Sequence, residues 1–428
     1  MLREPESVDQ PWSALLTGSA AEDARGVVAA IVDADRGGAR AGGVNARRTD
    51  ASVAGGMAGR AVLQWYAGGG HQSAAARELL DRSGRALARR ALTPDLFGGV
   101  AGIAWAHAHL ERHEAPEHAT DLADIDELVL RLLSRPGAGS YDLVDGLVGF
   151  GVYGLERWPD AAGAKIVEHV IAQLAALSQL TDDGRTWFTP SALVAIPPTE
   201  TPSPGHYNLG VAHGVPGILG FLGAACAAGH NGAGALLDES VPWLLARQRP
   251  ADGTGRFAAW VEPQRPSPPA ARLAWCYGDA GIAAALLLAA VGAGRADWRR
   301  AALDVARCAA ERAFESSGVR DAMFCHGAAG LAHTFNRLWQ ATGEPWLADA
   351  ARTWIAQTLA FARPGQGIAG FQSWEVDAER GGHWRTDTGL LTGTAGLGLV
   401  LLAATSDVEP EWDRLFLMSC RRKAGTAP

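Results

Sequence analysis

The chain has 428 residues, 48% of them apolar and 20% charged, the balance of a globular protein with room for a large core rather than of a disordered one. A net charge of -8 argues against nucleic acid or an anionic membrane as partner, and five cysteines, an odd number spread widely, do not make a disulfide framework. The N-terminal MLREPESVDQPWSALL lacks the apolar stretch of a signal peptide, and apolar runs such as GIAAALLLAAVGAG (281–294) stop short of the roughly 18 residues of a membrane span, so a soluble, cytoplasmic protein is expected.

In chain order, one device recurs seven times: Gly-x-x-Gly leading into an apolar helical stretch. The copies are GGMAGRAVLQW (Gly56, Gly59), GGVAGIAWAHAHL (Gly99, Gly102), DGLVGFGVYGL (Gly146, Gly149), HGVPGILGFLGAA (Gly214, Gly217), YGDAGIAAALLLA (Gly278, Gly281), HGAAGLAHTF (Gly327, Gly330) and TGTAGLGLVLLAA (Gly393, Gly396). Their first glycines are 43, 47, 68, 64, 49 and 66 residues apart. A period near 45 holds two helices and their turns, the mark of a repeat architecture. The three longer gaps contain proline- and glycine-rich inserts, among them 194–208 and 261–275.

Between the copies run amphipathic stretches, 74–92, 164–180, 299–315 and 345–362, with apolar residues at three-and-four spacing and charges opposite. These predict outer, solvent-facing helices. The Gly-x-x-Gly helices are apolar nearly all round and predict inner ones, whose small residues let their starts crowd together where a Cβ would collide. Seven outer helices alternating with seven inner ones make a closed double ring: an all-α toroid, one domain over residues 1–428, with tails at 1–20 and 421–428.

Helix packing explains the glycines but not what stands before them. In a ring of equivalent copies these positions face one end of a central funnel. Copies one and two carry Gly55 and Gly98, preceded by Ala54 and Phe97. Copy three carries Asp145 one before its glycine and Asp142 four before, and copy four His213 one before. Copy five places Cys276 two before its glycine; copy six places Cys325 two before and His326 one before. Two thiols and an imidazole are a zinc set, and three protein ligands leave a fourth position open, as in catalytic sites. The bland alternative is a pair of buried cysteines acting as small apolar groups. Cys226, Cys308 and Cys420 are read as structural.

The segments NLGVAHGVPG (208–217), WCYG (275–278), CHG (325–327) and LLTGTAGLGL (390–399) resemble, in this order, signature segments of the lanthionine synthetase C-like family, the lanthipeptide cyclases. The resemblance spans essentially the whole chain. It implies an α/α toroid with one zinc ion, Zn2+, and cyclisation of a ribosomal precursor peptide, in which a cysteine thiol adds to dehydroalanine or dehydrobutyrine to give a (methyl)lanthionine thioether. Carried over by motif, Cys276, Cys325 and His326 match the zinc ligands, His213 the acid–base histidine and Asp142 the aspartate supporting it, with Asp145 a rival at the same turn. Arg272 and Tyr277 match active-site residues. The chain departs from some cyclases in having no gap long enough for an added small domain. It also has no dehydratase region, so a separate dehydratase, and an exporter, would be partners beside the dehydrated precursor peptide. The alternatives are a zinc protein adding or binding a small thiol such as glutathione, a non-catalytic peptide-binding toroid, and an all-α carbohydrate-acting barrel using Asp142 and Asp145.

Overall fold

Each Gly-x-x-Gly opens a helix, with its first glycine as N-cap. The computed structural model describes residues 12–36, 50–69, 73–87, 89, 92–112, 119–135, 140–193, 204–250, 253–263, 265, 268–377 and 381–419. The inner helices are α2 (Met57–Ala67), α4 (Val100–Glu111), α6 (Leu147–Arg157), α8 (Val215–Ala227), α10 (Asp279–Ala293), α13 (Ala328–Thr342) and α15 (Thr394–Thr405). Their N-caps are Gly56, Gly99, Gly146, Gly214, Gly278, Gly327 and Gly393. The outer helices are α1 (Gly18–Arg36), α3 (Ala74–Leu87), α5 (Ala123–Leu133), α7 (Ala161–Leu177), α9 (Ala233–Leu245), α11 (Ala296–Glu311) and α14 (Pro345–Ala360), with a single-turn α12 (Phe314–Ser317) before copy six. Neighbouring inner helices touch all the way round, and α15 packs on α2 to complete the circle. Each inner helix also packs on one outer helix, and α1, first in the chain, serves α15, the last. This is the expected α/α toroid.

The second glycine of each copy is required by close approach rather than by backbone angle. A Cβ there would meet the carbonyl oxygen three residues before the first glycine: Val53 O at Gly59, Leu96 O at Gly102, Leu143 O at Gly149, Val211 O at Gly217, Trp275 O at Gly281, Phe324 O at Gly330 and Leu390 O at Gly396. It would also meet the side chain of the neighbouring copy, such as Val53 at Gly102, Leu96 at Gly149 and Leu390 at Gly59. Among the first glycines only Gly278 has positive φ, +99°, a region that a residue with a Cβ rarely adopts.

The turns before the glycines are joined by a closed circuit of backbone hydrogen bonds. Ala54 N–H donates to Phe97 O (3.0 Å), Phe97 to Val144 O (3.3 Å), Leu143 to Ala212 O (3.1 Å), Ala212 to Cys276 O (3.3 Å), Cys276 to Cys325 O (3.3 Å), Cys325 to Leu391 O (2.9 Å) and Leu391 to Ala54 O (2.9 Å). Ala54, Phe97, Val144, Ala212, Cys276, Cys325 and Leu391 all stand two before the first glycine of their copy. Equivalence in sequence is therefore equivalence in space.

Strands occur, among the described residues, only in the three long gaps. The hairpin β1 (Gln179–Thr181) with β2 (Gly184–Thr186), and β3 (Thr189–Pro190) with β4 (Gly205–Asn208), precede copy four; β5 (Trp260–Val261), pairing with β4, precedes copy five. The antiparallel hairpin β6 (Ser373–Asp377) and β7 (Gly381–Arg385) precedes copy seven. The opposite end of the axis is closed by a 3₁₀ turn, Glu411–Phe416, whose Trp412, Leu415 and Phe416 are buried.

The tail expected over residues 1–20 does not reach Trp12. Trp12, Leu15 and Leu16 are buried, and Trp12 Nε1 donates to Ala403 O at 3.0 Å. Residues 1–11 lie outside the described residues, as do 420–428 with the tail expected at 421–428 and Cys420. No described helix is long and apolar enough to cross a membrane.

Replacing Gly102 with Ala forces a methyl against Leu96 O and Val53, and overpacking of this kind costs typically about 1–3 kcal/mol. The control is Gly26→Ala, exposed on α1 with nothing within 4 Å of a new Cβ, which gains up to about 1 kcal/mol through helix propensity. Urea midpoints of the two variants should move in opposite directions; equal shifts would refute the close-approach account.

Candidate metal centre

Two thiols reach one place because two adjacent copies put cysteine in the same register. Cys276 is buried, whereas Cys325 and His326 are half-buried and open toward the mouth of the ring. The two sulfurs and a His326 ring nitrogen all lie within 4.8 Å of one another, close enough to hold one metal ion. Soft sulfur with imidazole is the donor set that zinc takes, and three protein donors leave a position free. The Cys325 thiol donates to Cys276, which holds Cys276 well below the ordinary thiol range and pushes Cys325 well above it. Burial opposes the Cys276 thiolate, while His326 and Arg272 support it.

The turn of copy three meets that of copy four beside this cluster. Asp142 Oδ2 accepts a hydrogen bond from His213 Nδ1–H at 2.7 Å, and Asp142 Oδ1 accepts from Asp145 N–H at 2.9 Å. Burial alone would raise the Asp142 carboxyl, but the bond and charge of His213 hold it below the usual range. His213 moves the other way: burial lowers it, yet Asp142, with Asp145, carries it above the ordinary imidazole value. Burial and the charge of Asp142 push Asp145 up to about 6. Of the two carboxylates at this turn, Asp142 is the one that bonds His213.

Tyr277 stands next to His213, their ring centroids 6.4 Å apart. Its hydroxyl accepts from Asn208 Nδ2–H at 3.0 Å, and burial raises its pKa. Arg272 is exposed and faces a cavity of about 540 Å³ that it lines with His326, Arg320, Trp374, Glu375 and Arg385. Arg385 is held there by Glu375 and, at 3.3 Å, by Asp387. Cys226 and Cys308 lie away from the cluster on α8 and α11.

Sequence reasoning passed over the position six before the first glycine. Asp50, Ser140, Asn208, Asp321 and Asp387 stand there, and each accepts from the backbone N–H two residues on, at 2.8–3.3 Å, setting the turn that aims the residues after it. Asn208 does more, because its amide also positions Tyr277. Asp321 Oδ2 also accepts from Trp374 N–H at 2.8 Å, fixing the β6–β7 hairpin over the cavity. The available signal was a short polar residue six before the first glycine in six of the seven copies, Thr93 among them, with Arg272 at that place in copy five.

A family model described as "Lanthionine synthetase C-like protein" matches residues 48–417. No curated protein sequence matches the chain. Among solved structures the fold is similar to one titled "Nisin cyclase", with TM-score 0.69 and 18% identity over 94% of this chain and 99% of that one. The family model covers most of the chain, on a ring whose two cysteines stand at the same offset from their glycines, and the chain belongs to the lanthionine synthetase C-like family.

Proposed function

We propose that this protein is a zinc-dependent lanthipeptide cyclase, joining cysteine thiols of a dehydrated precursor peptide to dehydroalanine or dehydrobutyrine as thioether rings. The observation that carries this reading is a Cys276–Cys325–His326 cluster beside a hydrogen-bonded His213–Asp142 pair, delivered by four consecutive copies. Held by Cys276, Cys325 and His326, zinc would supply a thiolate at neutral pH, where a free thiol of pKa about 8.5 is only slightly ionised.

The sulfur lone pair forms the C–S bond at the β-carbon, and the alkene pair moves onto the α-carbon and its carbonyl oxygen. Arg272, on the cavity wall, steadies the developing negative charge at that oxygen. His213 Nε2, the ring nitrogen not engaged by Asp142, then gives the α-carbon its proton. Asp142 keeps the tautomer and favours the charged imidazole that this step consumes. Tyr277, tethered by Asn208, walls the histidine. The cavity under the hairpin gives the peptide room. In this reading the dehydroamino acids are made by a separate dehydratase, and an exporter handles the product.

Three outcomes test the reading. The purified protein should carry about one zinc per chain, and Cys276→Ala or Cys325→Ala should lose most of it with helical content kept; full zinc in both variants overturns the ligand set. His213→Ala should keep its zinc yet slow cyclisation of a dehydrated precursor by roughly 10²–10⁴-fold, scored by thiol alkylation and mass spectrometry. Zinc loss would make His213 a ligand, and an unchanged rate would remove it from the chemistry. The third outcome is a pH profile. His213 serves as an acid only below its raised pKa, so activity should fall as pH rises through that value. Asp142→Asn removes the group that raises it, so the alkaline limb should move to lower pH.

A further inference from the structure

Both thiols of the cluster follow an aromatic residue, Trp275 before Cys276 and Phe324 before Cys325. Those two rings point away from the mouth into the axis, with centroids 5.8 Å apart, and both are buried. One side chain from the far end of the chain contacts both. The Phe416 ring lies edge-on to Trp275, at 5.1 Å and 90°, and 4.3 Å from Phe324 at 44°. Its own backbone adds a second tie, since Trp275 Nε1 donates to Phe416 O at 3.0 Å. Phe97, from copy two, backs Phe416 at 5.6 Å, and Trp412 backs it at 5.9 Å.

We infer that Phe416 is a positioning residue for the metal centre: from beneath, its ring sets the separation of the two turns that carry Cys276 and Cys325. The inference rests on the reading of the cluster as a metal site. The circuit joins these turns by a single hydrogen bond, Cys276 N–H to Cys325 O at 3.3 Å; Leu273 N–H to Ser317 O at 2.7 Å ties the same segments outside it, and the Trp275 and Phe324 rings meet one residue before the cysteines. The Phe416 ring packs against both of those side chains and so limits how far the two turns shift against each other, because packed aromatic faces yield little. Groups behind the ligands that orient them commonly govern metal affinity by about 10–100-fold when removed.

Phe416 is itself anchored. Asp413, three residues earlier, bonds His333 Nε2 at 2.8 Å and the Arg337 guanidinium, and Glu409 bonds Arg337 at 2.8 Å. Arg414 reaches Glu411 at 2.7 Å. The buried charges commit this segment to one depth on the axis, so the ring arrives at a defined height beneath the cysteines.

The test uses the full chain, stripped of metal with a chelator and titrated with Zn2+ against a competing indicator and with Co2+ for its absorption spectrum. Phe416→Leu keeps the backbone carbonyl and much of the volume; Phe416→Ala is the stronger version. Phe221→Leu is the control, a fully buried phenylalanine on α8 packed against Gly151, away from the ligands. All are read at a temperature where circular dichroism shows each folded, and if Phe416→Ala does not fold, Phe416→Leu decides. The expected result is a zinc affinity lowered roughly tenfold or more in Phe416→Leu, with Co2+ bands shifted or weakened, and both unchanged in Phe221→Leu. Wild-type affinity and spectrum in Phe416→Leu would overturn the inference, as would an equal loss in the control. Failure of the wild-type chain to bind either ion would instead overturn the metal reading itself.

Discussion

The structure depends on closing a circle of seven turns by their own backbone. Each turn donates to one neighbour and accepts at a carbonyl from the other, and the last returns to the first through Leu390 and Leu391, which both donate to Ala54 O. Buried peptide groups must be paired, and here the pairing runs from copy to copy instead of within a helix. The glycines follow from it. With the turns held this near the helix starts, the second glycine of each copy lies against a carbonyl oxygen of its own turn, and a Cβ has no space.

The same circle explains where chemistry is placed. Seven side chains occupy the equivalent position on its rim, and five are apolar or small: Ala54, Phe97, Val144, Ala212 and Leu391. Sulfur enters at two neighbouring places, so a cluster able to hold a metal ion needs no local ligand motif; the circle brings together residues 49 apart in the chain. One residue further on, His213 and His326 take the next position of their copies, and only His213 finds a carboxylate from the preceding copy at 2.7 Å.

The two ends of the ring are built oppositely. The mouth holds Asp145 and the exposed Arg272 and Arg320 around the cluster. The floor is buried and charged at once. Asp413 is held low by Arg337 and His333 against its burial, and Glu156 is likewise held well below the carboxylate range, burial being outweighed by Arg414, His109 and Arg112. Buried ions are costly unless fully paired, and removing one partner leaves the other stranded. The C-terminal segment therefore has one seat, and its aromatic residues stack at a defined depth below the cysteines.

The repeat, the helical class and the register of Cys276 and Cys325 were legible in the chain, because each is a matter of local periodicity: residue types at fixed offsets from a glycine. So was the closure into a ring, from the count of copies and the two kinds of helix between them. Tertiary structure alone decided that Asp142 and not Asp145 bonds His213, because the two carboxylates differ by less than one helical turn and only the neighbouring copy's position separates them. It decided that Asn208 tethers Tyr277 across 69 residues, that the β6–β7 hairpin stands over the cavity, and that residues 12–16 pack on the last inner helix instead of trailing as a tail. Phe416 belongs with these. Nothing in its surroundings in the chain marks it, and its place beneath both cysteines exists only because the ring has an axis and buried charges pin the chain's end within it. Periodicity is written residue by residue, whereas these contacts are made between segments that meet only once the circle has closed.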